Sequence, residues 1–100
     1  MIARIWQGRV PASRAEEYLA YLKRTGLSDY ASVKGNRGIQ VLRRTEGDVT
    51  QFVLTTLWDS MESIRRFAGD EPERARYYDE DDDFLLEKEP TVRHYDVLEI

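Results

Sequence analysis

Apolar positions along the chain switch between two spacings, alternate residues and every third or fourth, and the switches divide it into elements. Residues 2–10 are rich in branched and aromatic side chains and stop at Pro11, which predicts a strand. Ser13 stands three residues before Glu16, the spacing of a capping box, and so predicts a helix start. Ala15, Tyr18, Leu19 and Leu22 then fall on one helical face. Gly26 ends or kinks that helix. Leu27, Tyr30 and Val33 predict one more short apolar turn before Gly35, a C-terminal cap. Residues 36–38 read as a turn. Residues 39–45 and 51–58 read as strands, joined by a tight hairpin at Glu46-Gly47-Asp48 in which glycine supplies the positive φ. Asp59 and Ser60 offer N-caps to a second helix, whose apolar stripe is Met61, Ile64, Phe67 and Ala68. Gly69-Asp70 interrupts it, and Pro72 predicts a further helix to about Tyr78. Pro90 sets off a last strand over residues 91–98.

The resulting order, β-α-β-β-α-β, predicts an α+β fold of the ferredoxin-like kind. Its compact form is a four-stranded antiparallel sheet with both helices on one face. Phe52, Val53 and Leu54 are consecutive, as are Leu57 and Trp58, and Ile5 adjoins Trp6. Neighbouring strand residues point to opposite faces, so these strands are apolar on both sides. Two helices cover one face only, and soluble monomers rarely expose a large apolar patch. The expectation is a homodimer packed through the second face about a two-fold axis.

Composition narrows the function classes. One hundred residues predict a single domain over 1–100, with 41% hydrophobic and 34% charged residues. The net charge is −4 and the basic residues are scattered among acids, so no nucleic-acid partner is expected. The absence of cysteine removes disulfides and thiolate metal sites, and fits a cytoplasmic protein. Arg4 and Arg9 break the N-terminal apolar run, so no signal peptide is expected there. No stretch approaches the ~20 apolar residues of a membrane span.

The element order, the Trp58-Asp59-Ser60 step from third strand into second helix, and the closing Arg93-His94-Tyr95-Asp96-Val97 resemble the antibiotic-biosynthesis monooxygenase (ABM) superfamily over essentially the whole chain. That resemblance implies a dimeric α/β barrel with a cleft in each chain between sheet and helices, sized for a flat aromatic or similar small molecule. Some members oxidise aromatic polyketides without metal or flavin, and others bind and degrade haem. The haem-degrading branch carries an Asn on the first strand, a Trp on the second helix and a His as iron ligand. Gln7, Phe67 and Tyr77 fall at those positions, so all three differ from the pattern. Tyrosine can ligate ferric haem, but the missing His argues against that branch, and no cofactor is expected.

Several residues are candidates for chemistry. His94, the only histidine, is the natural general base near neutral pH; the plain alternative is a strand residue bonded within the sheet. Trp6 and Trp58 offer flat apolar walls, or ordinary core packing. Tyr77, Tyr78 and Tyr30 form the expected rim of the family cleft. Gln7 and Arg4 are polar residues on a buried-looking strand and point to opposite faces. One of them is expected to face a wet cavity: Gln7 is favoured for the cleft from its family position, and a pair with an acid across the dimer is the alternative for Arg4. Residues 79–83 form an acidic run with the first spacings of a calcium loop. Phe84 and Pro90 stand where its Gly and Glu belong, so a solvated charge run is expected. Arg43-Arg44 guards a strand edge. No phosphate loop, metal set or dinucleotide fingerprint is present. The leading expectation is a monooxygenase-like enzyme without a tightly bound cofactor. It would hold an electron-rich aromatic between Trp6, Phe67 and Tyr77, with His94 or a tyrosine as base. The alternative is a non-catalytic dimeric module that binds a small hydrophobic ligand.

Overall fold

A computed structural model describes all of residues 1–100. The chain runs β1 (Ile2–Pro11), α1 (Ala15–Arg24), α2 (Gly26–Ser32), β2 (Asn36–Glu46), β3 (Val49–Trp58), α3 (Met61–Ala68) and β4 (Arg93–Asp96), with 3-10 turns at Ala12–Arg14 and Asp79–Asp83. The four strands form one antiparallel sheet in the order β2-β3-β1-β4. This is the ferredoxin-like α+β arrangement expected from the element order. No helix is long and apolar enough to cross a membrane.

Strand alternation decides what faces what. On β3 Thr50, Phe52, Leu54, Thr56 and Trp58 are buried under the helices, while Val49, Gln51, Val53, Thr55 and Leu57 are half-exposed. On β1 Arg4, Trp6, Gly8 and Val10 face the helices, paired in register with Thr56, Leu54, Phe52 and Thr50. The core packs Tyr18, Tyr21 and Leu22 of α1, Tyr30 of α2 and Ile64 and Phe67 of α3 onto that face. Nothing in the chain covers the other face. It carries Ala3, Ile5, Val53 and Leu57 at its centre, with Leu42 and Tyr95 half-exposed beside them.

Local capping departs from the pattern read along the chain. Ser13 forms no capping box. The 3-10 turn at Ala12–Arg14 places Arg14 at the N-cap of α1, where no side chain caps. Arg14 instead bonds Glu17 and the Asp83 carbonyl. The break between α1 and α2 falls at Thr25, whose hydroxyl donates to the Tyr21 carbonyl at 2.7 Å. Residues 36–38 are the bulged start of β2 rather than a turn. Gly35 before them has φ +99°, and a Cβ there would meet Ser63 Oγ. Ser60 caps α3 by accepting from the Ser63 amide.

The helix expected from Pro72 to Tyr78 does not form. A helix that short is marginal on its own, and a partner strand takes its backbone instead. Arg74 bridges Thr91, the Ala75 amide donates to the Pro90 carbonyl, and the Val92 amide donates to the Glu73 carbonyl. That pairing uses up the beginning of the expected last strand, so β4 spans only Arg93–Asp96. The acidic run is likewise not fully solvated. Phe84 packs on Tyr18 and Tyr21 at 5.4 Å and draws the 3-10 turn onto α1, so that Asp81 is buried.

Candidate functional site

A cleft opens between the centre of the sheet and the helices. Its floor is Arg4 and Trp6 of β1 and Leu54 of β3. Tyr18 and Leu22 of α1, Tyr30 of α2 and Phe67 of α3 form two walls, and residues 76–78 with Asp81 complete it. It encloses about 420 Å³ of space between atoms, part of it open to solvent. The part a water molecule can move through is only about 30 Å³. That volume admits a water or two but no aromatic ring, so a ring-sized ligand enters only as lining side chains move aside.

Glycine shapes the floor. A Cβ at Gly8 would lie 2.4 Å from the far end of the Trp6 indole. The missing side chain therefore lets Trp6 fold along β1. Trp6 Nε1 donates to the Tyr77 hydroxyl at 3.0 Å, and Tyr77 in turn donates to the Glu89 carbonyl at 2.6 Å. The Tyr78 hydroxyl donates to Asp29. The 76–81 wall is thus held on both flanks by side-chain hydrogen bonds.

Arg4 is 2% exposed, yet no carboxylate lies within ion-pair distance of it. Its Nη1 donates to the Tyr30 hydroxyl and its Nη2 to the Arg74 carbonyl, both at 3.2 Å, while Nε is buried without a partner. Arg76 donates to the Phe67 carbonyl and lies 3.9 Å from Asp29. Both guanidinium groups sit over the Phe67 ring, Arg4 at 5.4 Å and Arg76 at 4.8 Å.

Burial governs the titration of the site. It pushes the phenols of Tyr18, Tyr30, Tyr77 and Tyr78 up, and that of Tyr21 to about 12. At neutral pH each of these tyrosines is a proton donor and none is a base. Burial also raises the Asp81 carboxyl, against the opposing hydrogen bond from the Tyr78 amide at 2.7 Å. Desolvation, with Arg4 alongside, pulls His94 down.

Trp6, Tyr30, Phe67, Tyr77 and Tyr78, singled out in the sequence, come together around this cleft. Three other expectations need correction. Gln7 lies on the opposite, exposed face, where it accepts from Gln51. A one-residue step along a strand reverses the face, and its neighbour Trp6 is the side chain that points in. Trp58 is fully buried behind Tyr30 and Phe67, with its indole bonded to Thr56, and does not line the cleft. His94 sits opposite Arg4 on the edge strand β4, outside the lining residues. Sequence reasoning passed over Asp81, submerged in a charge run whose only anchoring signal is Phe84. The family position favours Gln7 over Arg4 for the cleft, although strand alternation puts Arg4 on the face of Trp6.

The model of the family described as antibiotic biosynthesis monooxygenase matches residues 1–75. No curated protein sequence is similar enough to count as a relative. Among solved structures, a Bacillus cereus protein assigned as an antibiotic biosynthesis monooxygenase aligns with a TM-score of 0.67 at 13% identity. The alignment covers 99% of this chain and 96% of that one. MhuD, a haem degrader of Mycobacterium tuberculosis with two haems in its active site, aligns with a TM-score of 0.66 at 17% identity, over 100% and 99% of the two chains. A MhuD variant with two manganese protoporphyrin IX per active site gives 0.62 at 22% identity, over 100% and 98%. At these identities the likeness is one of fold.

Proposed function

The chain belongs to the antibiotic biosynthesis monooxygenase family, and from that premise we propose that its cleft binds a small aromatic molecule and oxidises it with molecular oxygen, without a tightly bound cofactor. The observation that carries the reading is a buried carboxyl, Asp81, set in a wall of aromatic side chains. A carboxylate whose pKa is raised by burial is a stronger base than one in water. An aromatic cleft with room for no more than a water or two suits an electron-rich carbanion or enolate. In this scheme Asp81 takes one proton from an activated C–H of the ligand. The resulting anion reduces oxygen and forms a C–O bond as a hydroperoxide, and loss of water leaves a carbonyl.

Asp81 replaces His94 and Tyr77 as the favoured base. His94 does not line the cleft, and the Tyr77 hydroxyl is committed at both ends. The same geometry argues against a haem role, since the Tyr77 hydroxyl would have to give up its bonds to Trp6 and Glu89 to ligate iron.

Oxygen uptake with a panel of anthrones and quinols tests the reading. Uptake by the parent protein is expected to fall roughly 100-fold or more in Asp81→Asn, the scale of a lost general base, and to stay close to parent in His94→Ala. Parent uptake no faster than that of Asp81→Asn would refute the assignment. A second reading, a binding module without chemistry, is supported by the same doubly bonded Tyr77 hydroxyl. It predicts ligand binding with no uptake in any variant.

A further inference from the structure

Arg4 presents a charge without an answer. A guanidinium stays protonated at any physiological pH. Placing one in a protein interior without a counter-charge is among the costlier arrangements a fold can hold. The other charged groups of the cleft do not answer it. Arg76 has Asp29 as its acid, and the Asp81 carboxyl accepts from the Tyr78 amide outside ion-pair reach of Arg4. Neither partner of Arg4, a phenol oxygen and a backbone carbonyl, carries a negative charge. Its Nε and the remaining Nη hydrogens have no acceptor, and neither does the proton of the Tyr30 hydroxyl that accepts from it. Arg4 and Tyr30 both line the cleft. The floor is therefore a set of unspent donors around one uncompensated positive charge, beneath aromatic walls.

We propose that Arg4 is an anion anchor, and that the cleft selects an aromatic ligand bearing one carboxylate. The carboxylate takes the free N–H groups of Arg4 and the Tyr30 hydroxyl while the ring packs among Trp6, Phe67 and Tyr77. One free cation specifies a monoanion, because a dianion would leave a negative charge buried in turn. The planar fork of a guanidinium matches the two oxygens of a carboxylate. This assignment deepens the proposed function and rests on its aromatic ligand. The carboxylate is a recognition handle, separate from the carbon that Asp81 deprotonates.

The test is calorimetric titration of the full chain with 2-naphthoate and, separately, with 2-naphthamide, which has the same ring and nearly the same volume without the charge. The acid is expected to bind at least about tenfold more tightly, the scale of one charge-assisted hydrogen bond. Arg4→Gln should bring the two affinities together, and Arg4→Lys should keep part of the difference. Should Arg4→Gln fail to fold, the parent comparison and Arg4→Lys decide alone. Equal affinities for the parent, or a preference that survives in Arg4→Gln, would overturn the anchor and leave the aromatic-ligand reading standing. Binding of neither compound would remove both.

Discussion

Arg4 and Asp81 each hold a group that the fold would be more stable without, and that is where function and stability separate. For Arg4, replacement by Met gives up two hydrogen bonds to neutral acceptors, worth about 1 kcal/mol each, and the contact of its guanidinium with the Phe67 ring, worth about 1 kcal/mol. It also removes an unpaired buried charge whose desolvation is of the order of several kcal/mol. Arg4→Met is therefore expected to melt no lower than the parent while losing carboxylate selectivity. A melting temperature depressed by more than ~5 °C would show that Arg4 supports the fold. For Asp81 the sign follows from burial. Its pKa is raised in the folded chain, so the folded state binds its proton more tightly than the unfolded state. Between the unfolded value, near 3.8, and the higher folded one, stability falls as pH rises. Asp81→Asn keeps an oxygen to accept from the Tyr78 amide and cannot ionise. It is expected to gain stability over the parent at pH 7, with the gain shrinking as pH approaches 4, in melting curves recorded across that range. Higher stability with lost oxygen uptake is the signature of a group kept for chemistry. A variant less stable than the parent at pH 7 would mark Asp81 as structural.

Elements were legible where side-chain periodicity was long enough to speak. The strands, the hairpin at Gly47 and the stripe of α3 follow from period and turn chemistry, and Ser60 caps α3 as its position implies. Apart from the Ser13 cap and the bulged start of β2 at residues 36–38, what the sequence misassigned among the elements lies between Gly69 and the C-terminal strand. There the chain has helix-forming residues but is too short to nucleate a helix, and its backbone pairs with residues that periodicity had given to the last strand. That non-local competition is invisible in a window of ten residues, and it is what builds the fourth wall of the cleft. Five aromatic lining residues were identifiable from type and place. Arg4 and Asp81 were not, because their meaning depends on which charges fail to reach them. The wall itself is held by Tyr77 and Tyr78. Tyr77→Phe keeps the ring but deprives Trp6 Nε1 of its acceptor and Glu89 O of its donor. Two such losses, about 1 kcal/mol each, should favour local opening roughly thirtyfold. Amide hydrogen exchange at Asp81 and Phe84, whose N–H groups bond Tyr78 O and Asp81 O, reads this directly. Unchanged exchange there would mean the wall is held by packing alone.

For the whole molecule, the governing fact is a sheet with one finished face and one unfinished face. The helices bury Phe52, Leu54, Thr56 and Trp58, while Ala3, Ile5, Val53 and Leu57 on the reverse have only their strand neighbours for company. Around them Leu42 is 51% exposed and Tyr95 49% exposed. Gln7, Gln51, Arg9 and Arg44 lie towards the hairpin end of the same face. An apolar centre with a polar margin is the composition of a protein–protein interface. A two-fold axis through the centre would set this face against its own copy, apolar on apolar. The cleft lies on the other side of the sheet, so each chain of such a dimer would keep a complete site. The dimer would instead brace β1 and β3, the strands that hold Arg4, Trp6 and Leu54 in the cleft floor. The parent is accordingly expected to sediment at twice its 11.7 kDa chain mass at micromolar concentration. Leu42→Glu, a charge placed on the exposed flank of the patch, should shift it towards monomer without unfolding it, because Leu42 takes no part in the core. The same variant should bind 2-naphthoate more weakly if the partner chain stiffens the floor, and equally well if the floor is rigid alone. A parent that sediments as a monomer at these concentrations would leave the apolar face unexplained and rule out the two-fold assembly.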